Sequence, residues 1–326
     1  MNVLSLFDGI SCGRIALERV GIDVDNYYAS EINPTSIAIS KKNYPDIIQI
    51  GDVKNIDTKK YKDIDLLIGG SPCTNFSCSG KGNGATTKNG IKITNLQQYL
   101  ELKKQGIEFD GQSYLFWEYA NVLNQIKPKY FLLENVKMKK EWQDVITNTL
   151  GVEPIEINSN LVSAQNRPRL YWTNIPNIEQ PQNKGLYIKD VLDDTYTEKE
   201  VLSQKIQDRF VVNENKNYAY GTTKPSFRKI GQRDWVFGDN NIIGCLTATD
   251  YKQPKQVFHN GILRKISPIE CERFQTLPDN YTQYGLFDRD GQKVEQTISH
   301  TKRFECIGNG WTVDIIAHIL SYIPNN

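Results

Sequence analysis

The stretch 3-VLSLFDGISCGRIALERVG-21 decides how the chain is read. VLSLF is a short apolar run, the pattern of a strand buried on both faces. CGRIALERVG then places apolar residues at helical spacing and stops at Gly21, a helix terminator. Gly9 and Gly13 fall in the turn between them. Glycine there lets a ligand approach the backbone, beside a helix N-terminus that favours anions. The unit is therefore strand, glycine turn, helix.

The unit recurs along the chain. NYYASEI (26–32) reads as a second strand, and Asn33-Pro34 as an N-cap followed by proline at the first helical position. IIQIGDV (47–53), DIDLLIGG (63–70) and KYFLLENV (129–136) read as further strands. Alternation of this kind predicts an α/β fold, a doubly wound and mostly parallel sheet covered on both faces. Ligands bind outside the carboxyl ends of such strands. The chemically useful residues fall there: Phe7, Asp8, Gly9, Ile10 and Gly13, then Glu31 and Ile32, Asp52 and Val53, Cys73, and Glu134 with Asn135.

Residues 137–173 continue with a helix and two strand-like runs. From 174 to 262 the chain is polar and weakly periodic, rich in Asn, Gln, Gly and Pro. Ser267-Pro268 opens another helix, and 303-RFECIGNGWTVDIIAHILSYI-323 reads as a turn followed by a long apolar helix. This predicts a core of 1–173 plus 263–326, with a smaller domain, 174–262, inserted in it.

Composition restricts the function classes. The chain has 326 residues and a formal net charge of +1, so any basic patch is local. The N-terminus is expected to be neither a signal peptide nor a membrane span, because Asp8 interrupts a short apolar run. The cysteines at 12, 73, 78, 245, 271 and 306 form no CxxC pair, and histidine occurs only at 259, 300 and 318. No metal site or disulfide framework is expected, and reduced thiols in a cytoplasmic setting are.

The turn 7-FDGISCG-13 is not GxGxxG, which disfavours a dinucleotide. Glu31, 22 residues after Gly9, sits where an acid typically grips ribose hydroxyls. Asp52 could accept from an adenine amino group. Together they describe a nucleoside pocket without a pyrophosphate cradle, which favours S-adenosyl-L-methionine over NAD.

Six elements in order then resemble the cytosine-5 DNA methyltransferases: 7-FDGISCG-13, 69-GGSPC-73, 134-ENV-136, 165-QNRPR-169, 264-RKISPIECERFQTLP-278 and 308-GNGWTV-313. Ser71-Pro72-Cys73 and the Trp of the last element look more like the vertebrate de novo enzymes and the phage enzymes that resemble them. The resemblance implies a Rossmann-like catalytic domain and a target-recognition domain at 174–262. It implies methyl transfer from S-adenosyl-L-methionine, leaving S-adenosyl-L-homocysteine, to carbon-5 of a cytosine flipped out of duplex DNA.

In that chemistry Cys73 is the nucleophile, adding to carbon-6, and Pro72 stiffens its turn. Glu134 binds or protonates ring nitrogen-3. Arg169, with Arg167, holds oxygen-2 or orders the catalytic loop, and Asn135 fixes loop geometry. Leu115, Asn309 and Trp311 join the cofactor residues, with a plain core tryptophan as the alternative for Trp311. Cys12, Cys245, Cys271 and Cys306 are read as buried structural thiols, and Cys78 as a bystander.

For DNA, residues 79–100 carry lysines, no acid and several glycines, which suits a loop closing over phosphates. Ser77, Lys81 and Lys88 are the contacts expected around it. Arg228, Lys229 and Arg233, interleaved with aromatics, form a second basic set, and 245-CLTATD-250 loosely resembles a recognition-domain element. A monomer is expected, with a cognate restriction endonuclease as a candidate partner, in a bacterial or phage-infected cell. The alternatives are the same chemistry on transfer RNA, whose Cys-Phe-Thr element is absent, and a non-catalytic DNA-binding regulator, against which Cys73, Glu134 and Arg169 stand.

Overall fold

The computed structural model describes residues 1–72, 75–76, 84–192, 196–212, 220–224 and 234–324. Its main sheet has seven strands: β1 (Asn2–Leu6), β2 (Asn26–Ser30), β3 (Ile48–Gln49), β4 (Leu66–Gly70), β5 (Tyr130–Val136), β6 (Ile155–Asn158) and β7 (Pro168–Thr173). Their order is β3-β2-β1-β4-β5-β7-β6. Pairing is parallel from β3 to β5, and β7 runs antiparallel to both of its neighbours. The order reverses between β1 and β4, which is where an open sheet of this kind offers a crevice.

The apolar strands are explained by a core on each face. Val3, Leu66, Ile68 and Leu132 belong to one buried cluster, and Leu4, Leu6, Leu67 and Leu133 to the other. Successive side chains of a strand point to opposite faces, so each strand feeds both. On the first face lie α1 (Cys12–Arg19) and a C-terminal helix, α7 (Val313–Leu320). On the second lie α3 (Phe116–Ile126) and α4 (Lys140–Leu150), whose Trp117 and Trp142 are fully enclosed. Asn33 caps α2 (Pro34–Asn43), its side chain accepting from the N–H groups of Thr35 and Ser36. Ser267 and Glu270 form a reciprocal capping box on α5 (Pro268–Phe274).

Two expectations change. The third strand is two residues long rather than spanning 47–53, because Gly51, at φ 79°, turns the chain out and Asp52 caps a short 3-10 turn, Val53–Asn55. The tail is two helices, α6 (His300–Asn309) and α7, broken at Gly310–Thr312. The Gly-Asn-Gly element therefore ends one helix instead of preceding a single long one.

A second sheet joins Val211–Val212, Gly221–Thr222, Trp235–Gly238, Gln256–His259 and Ile262–Lys265. Its last strand runs beyond 262. Phe237 and Val257 of this sheet are buried in the same core cluster as Val3 of β1, together with Ile243 and Leu246. Among the described residues no helix is long and apolar enough to cross a membrane.

Candidate active site

The register of the sheet levels its carboxyl ends. Leu6 lies opposite Ser30 and Gly69, and Gly70 opposite Glu134. Beyond them opens a cavity of about 590 Å³, within the range of small-molecule sites.

The turn after β1 is tightly coiled: Phe7, Gly9 and Ser11 have φ of 57°, 59° and 62°. Phe7 and Gly9 line the cavity. The side chain of Asp8 turns inward, accepting from the Tyr27 hydroxyl at 2.7 Å and the Ser11 hydroxyl at 2.5 Å. Burial pushes its carboxyl up to about 6. Ile10 is fully buried in the core. Gly13 serves close packing, because a Cβ there would come within 2.3 Å of Ile68 Cδ1. Asp8, Ile10 and Gly13 were expected to bind the cofactor, but their side-chain positions stand behind the wall rather than on it.

At one end of the cavity, backbone amides hold the Glu31 carboxylate. Gly9 N–H donates to one oxygen at 2.8 Å, and the N–H groups of Ile32 and Asn33 donate to the other at 2.8 Å. Ile32 is 67% exposed beside it, an apolar surface open to a planar ring. Asp52 faces the same space and pairs with Lys54 at 3.2 Å. Val53, Leu115 and Asn309 complete the residues foreseen there.

Sequence reasoning missed Ser36, Tyr114, Glu305 and Cys306, which also line the wall. Ser36 and Cys306 touch across α2 and α6, with oxygen and sulfur 3.6 Å apart. Only the fold brings those two helices together, and no local motif marks the contact.

At the other end stand Pro72, Glu134, Asn135 and Arg169. Asn135 Nδ2 donates to the Ser71 hydroxyl at 3.1 Å, tying the ends of β5 and β4 together. Arg169 Nε lies 2.9 Å from Glu134 Oε1, and Trp311 Nε1 donates to Glu134 Oε2 at 3.1 Å. Trp311 thus sits behind the carboxylate, against Gly70, where a Cβ would meet its Nε1 at 2.8 Å. Cys73, Cys78, Ser77, Lys81, Arg228, Lys229 and Arg233 lie outside the described residues. Lys88 pairs with Glu108 at 2.7 Å.

Gln165, Arg167 and Arg169 occupy alternate positions of an extended segment and share one side of it. All three reach the segment 245–246. Gln165 Oε1 accepts from Leu246 N–H at 2.9 Å, Arg167 Nη1 donates to Leu246 O at 2.7 Å, and Arg169 Nη2 donates to Cys245 Sγ at 3.6 Å. Arg167 also donates to Gly310 O at 2.8 Å and to Gly308 O at 3.3 Å. Both of its terminal nitrogens are thus engaged with the chain itself, and Arg169 is the arginine beside Glu134.

Strand order, register and an acid-lined cavity over the carboxyl ends define the fold of S-adenosyl-methionine-dependent methyltransferases. The Entamoeba histolytica methyltransferase EhMeth superposes with a TM-score of 0.65 at 19% identity, covering 99% of this chain and 97% of that one. The family model described as C-5 cytosine-specific DNA methylase matches residues 1–325, and the chain belongs to that family. Among its relatives is the type II methyltransferase M1.ScrFI of Lactococcus lactis subsp. cremoris, 29% identical over 86% of this chain and 70% of the relative. M.HhaI of Haemophilus parahaemolyticus is 25% identical over 100% of this chain and 94% of its own length.

Proposed function

We propose that this protein methylates carbon-5 of a cytosine flipped out of duplex DNA, using S-adenosyl-L-methionine and a covalent adduct of Cys73 at carbon-6. The observation that carries the reading is one cavity with two differently furnished ends. Glu31, Ile32 and Asp52 suit a nucleoside's diol, ring face and amino group. Glu134 and Arg169 suit the polar edge of a pyrimidine.

The Cys73 thiolate adds to carbon-6, and the electron pair of the 5,6-double bond makes carbon-5 nucleophilic. Glu134 shares a proton with ring nitrogen-3 as charge develops there, while Arg169 donates to oxygen-2 and balances the carboxylate. Bound S-adenosyl-L-methionine supplies an electrophilic methyl group, and S-adenosyl-L-homocysteine is left. The carbon-5 proton then passes to water, and the carbon–sulfur bond breaks to return the Cys73 thiolate. Asn135 and Pro72 hold the strand ends between which this happens.

Residues 174–262 serve as the target-recognition domain, with Arg228, Lys229 and Arg233 on phosphates. The reading extends to a monomer acting in the cytoplasm of a bacterial or phage-infected cell, and it accommodates a cognate restriction endonuclease. Bisulfite sequencing of DNA from cells expressing the protein should show protected cytosines in one sequence context. Parallel assays with labelled methyl donor should label duplex DNA and leave transfer RNA unlabelled; the reverse pattern would overturn the substrate.

A further inference from the structure

Cys245 was expected to be an inert buried thiol. It is instead half-buried, with its sulfur 3.4 Å from Arg167 Nη1 and 3.6 Å from Arg169 Nη2. The other nitrogens of Arg169 reach Glu134 Oε1 and Pro168 O, each at 2.9 Å. Every nitrogen of this guanidinium therefore has an anchor, and Cys245 supplies the one from outside the main sheet.

The backbone brings the sulfur there. Ile243–Gly244 pairs in parallel with Gln165–Asn166, and Gln165 and Arg167 then hold both backbone groups of Leu246. Burial pushes the Cys245 thiol up, but the Arg167 and Arg169 guanidiniums outweigh it and hold it below its ordinary value. Cys12, Cys271 and Cys306, which are buried, are all pushed up by burial. The electrostatics thus agree with the geometry: this sulfur is an acceptor facing two cations.

We infer that Cys245 is a positioning residue for the proposed methyl transfer, its sulfur fixing the plane of the Arg169 guanidinium and thereby the carboxylate of Glu134. A planar donor fork keeps its geometry only while its anchors persist. With the sulfur removed, the planar fork keeps only its Nε and Nη1 anchors and can swing about its Cδ–Nε bond, so Glu134 loses the fixed partner that aligns it with the base. The inference rests on the methyltransferase reading, and its test is built so that the two fail separately.

One arm requires no catalysis. Iodoacetamide labelling of the wild-type protein across about pH 6 to 10, with the labelled cysteine located by peptide mapping, should show Cys245 titrating below the ordinary thiol value of about 8.5. The same profile in Arg169→Gln should move up. A Cys245 that titrates at or above the ordinary value in the wild type would overturn the contact.

The second arm is kinetic. Cys245→Ala should lower kcat about tenfold, the range of one lost charge-assisted hydrogen bond, with KM for DNA and for S-adenosyl-L-methionine within about twofold. Cys245→Ser, which keeps an acceptor, should recover most of the rate. Unchanged kcat in the alanine variant, or equal losses in both variants, would overturn the positioning role. A wild-type protein that methylates no nucleic acid would instead overturn the methyltransferase reading, and the labelling profile would still decide the contact.

Discussion

The guanidinium of Arg169 meets the carboxylate of Glu134 at 2.9 Å on a diagonal between paired strands, since Arg169 lies opposite Val136 and Tyr171 opposite Glu134. Diagonal neighbours on one face of an antiparallel pair are within reach of long side chains. Both side chains are largely shielded, at 13% and 12% exposure, so the pair is held in a partly dry site, where charge is worth more than in water. Glu134→Gln keeps the shape and removes the ionisable carboxyl, and with it any proton exchange with the base. It should lower kcat about 10²- to 10⁴-fold, the range of a lost general acid. The dissociation constant for S-adenosyl-L-methionine should stay within about threefold, because Glu31 and Asp52 occupy the other end of the cavity. Single-turnover methylation of duplex DNA, with separate calorimetry for the cofactor, measures both.

Cys73 and Cys78 are five residues apart, and the proposed mechanism gives them unequal fates. A duplex carrying 5-fluorocytosine at the target should trap the adduct, because fluorine cannot leave carbon-5 as a proton does. Wild-type protein and Cys78→Ala should form a complex that survives denaturing electrophoresis. Cys73→Ala should form none and lose methylation by at least about 10³-fold. A trapped complex in Cys73→Ala would remove Cys73 as nucleophile.

How much of this was legible depends on whether the signal is local. Asn33-Pro34 and Ser267-Pro268 announce their helices because a cap and a fixed φ act within one turn of chain, and both helices are present. The strand runs are legible for a similar reason, since burial on two faces demands unbroken apolar residues. The inward turn of the Asp8 side chain was not legible, because it follows the positive φ of Phe7 and Ser11, and neither residue type signals such a conformation. The partners of Arg167 were invisible for another reason. Leu246, Gly308 and Gly310 are distant in sequence and present only backbone carbonyls, which carry no sequence signature. Cys245 looked structural because the arginines beside it arrive from β7 and the segment before it.

Gly308 marks the seam between α6 and the segment 246–250. A Cβ on it would lie 2.3 Å from Thr247 C and 2.5 Å from Ala248 N, and backbone atoms cannot swing aside as a side chain can. Gly308→Ala should force the two segments apart and weaken the Arg167 contacts to Leu246 O and Gly308 O. The expected cost is about 1–3 kcal/mol, the usual range for overpacking, read as a lower denaturation midpoint. KM for S-adenosyl-L-methionine should rise as well, because Asn309 and Cys306 on the same helix line the cavity. Gly244→Ala is the control: its Cβ would meet only Phe237, at 3.7 Å, and should leave both quantities unchanged.

Asp8 gives the protein a pH dependence of a defined sign. Burial raises its carboxyl from 3.8 to about 6, against the opposing hydrogen bonds of Ser11, Ser5 and Tyr27 and with added repulsion from Glu31. Between those two values the folded protein retains a proton that the unfolded chain has released. Raising the pH through that window therefore favours unfolding, and above about 6 the loss is complete and constant. The displacement corresponds to roughly 2–3 kcal/mol against the ionised form. Asp8→Asn cannot ionise; it keeps an acceptor for Tyr27, and the Ser11 hydroxyl can turn its proton toward Ser40, 2.6 Å away. Denaturant titrations of both proteins at about pH 4, 6 and 8 should show Asp8→Asn gaining on the wild type as the pH rises, by roughly 2–3 kcal/mol in full. A wild type that gains on the variant instead would mean that Tyr27 and Ser11 stabilise the carboxylate by more than burial penalises it.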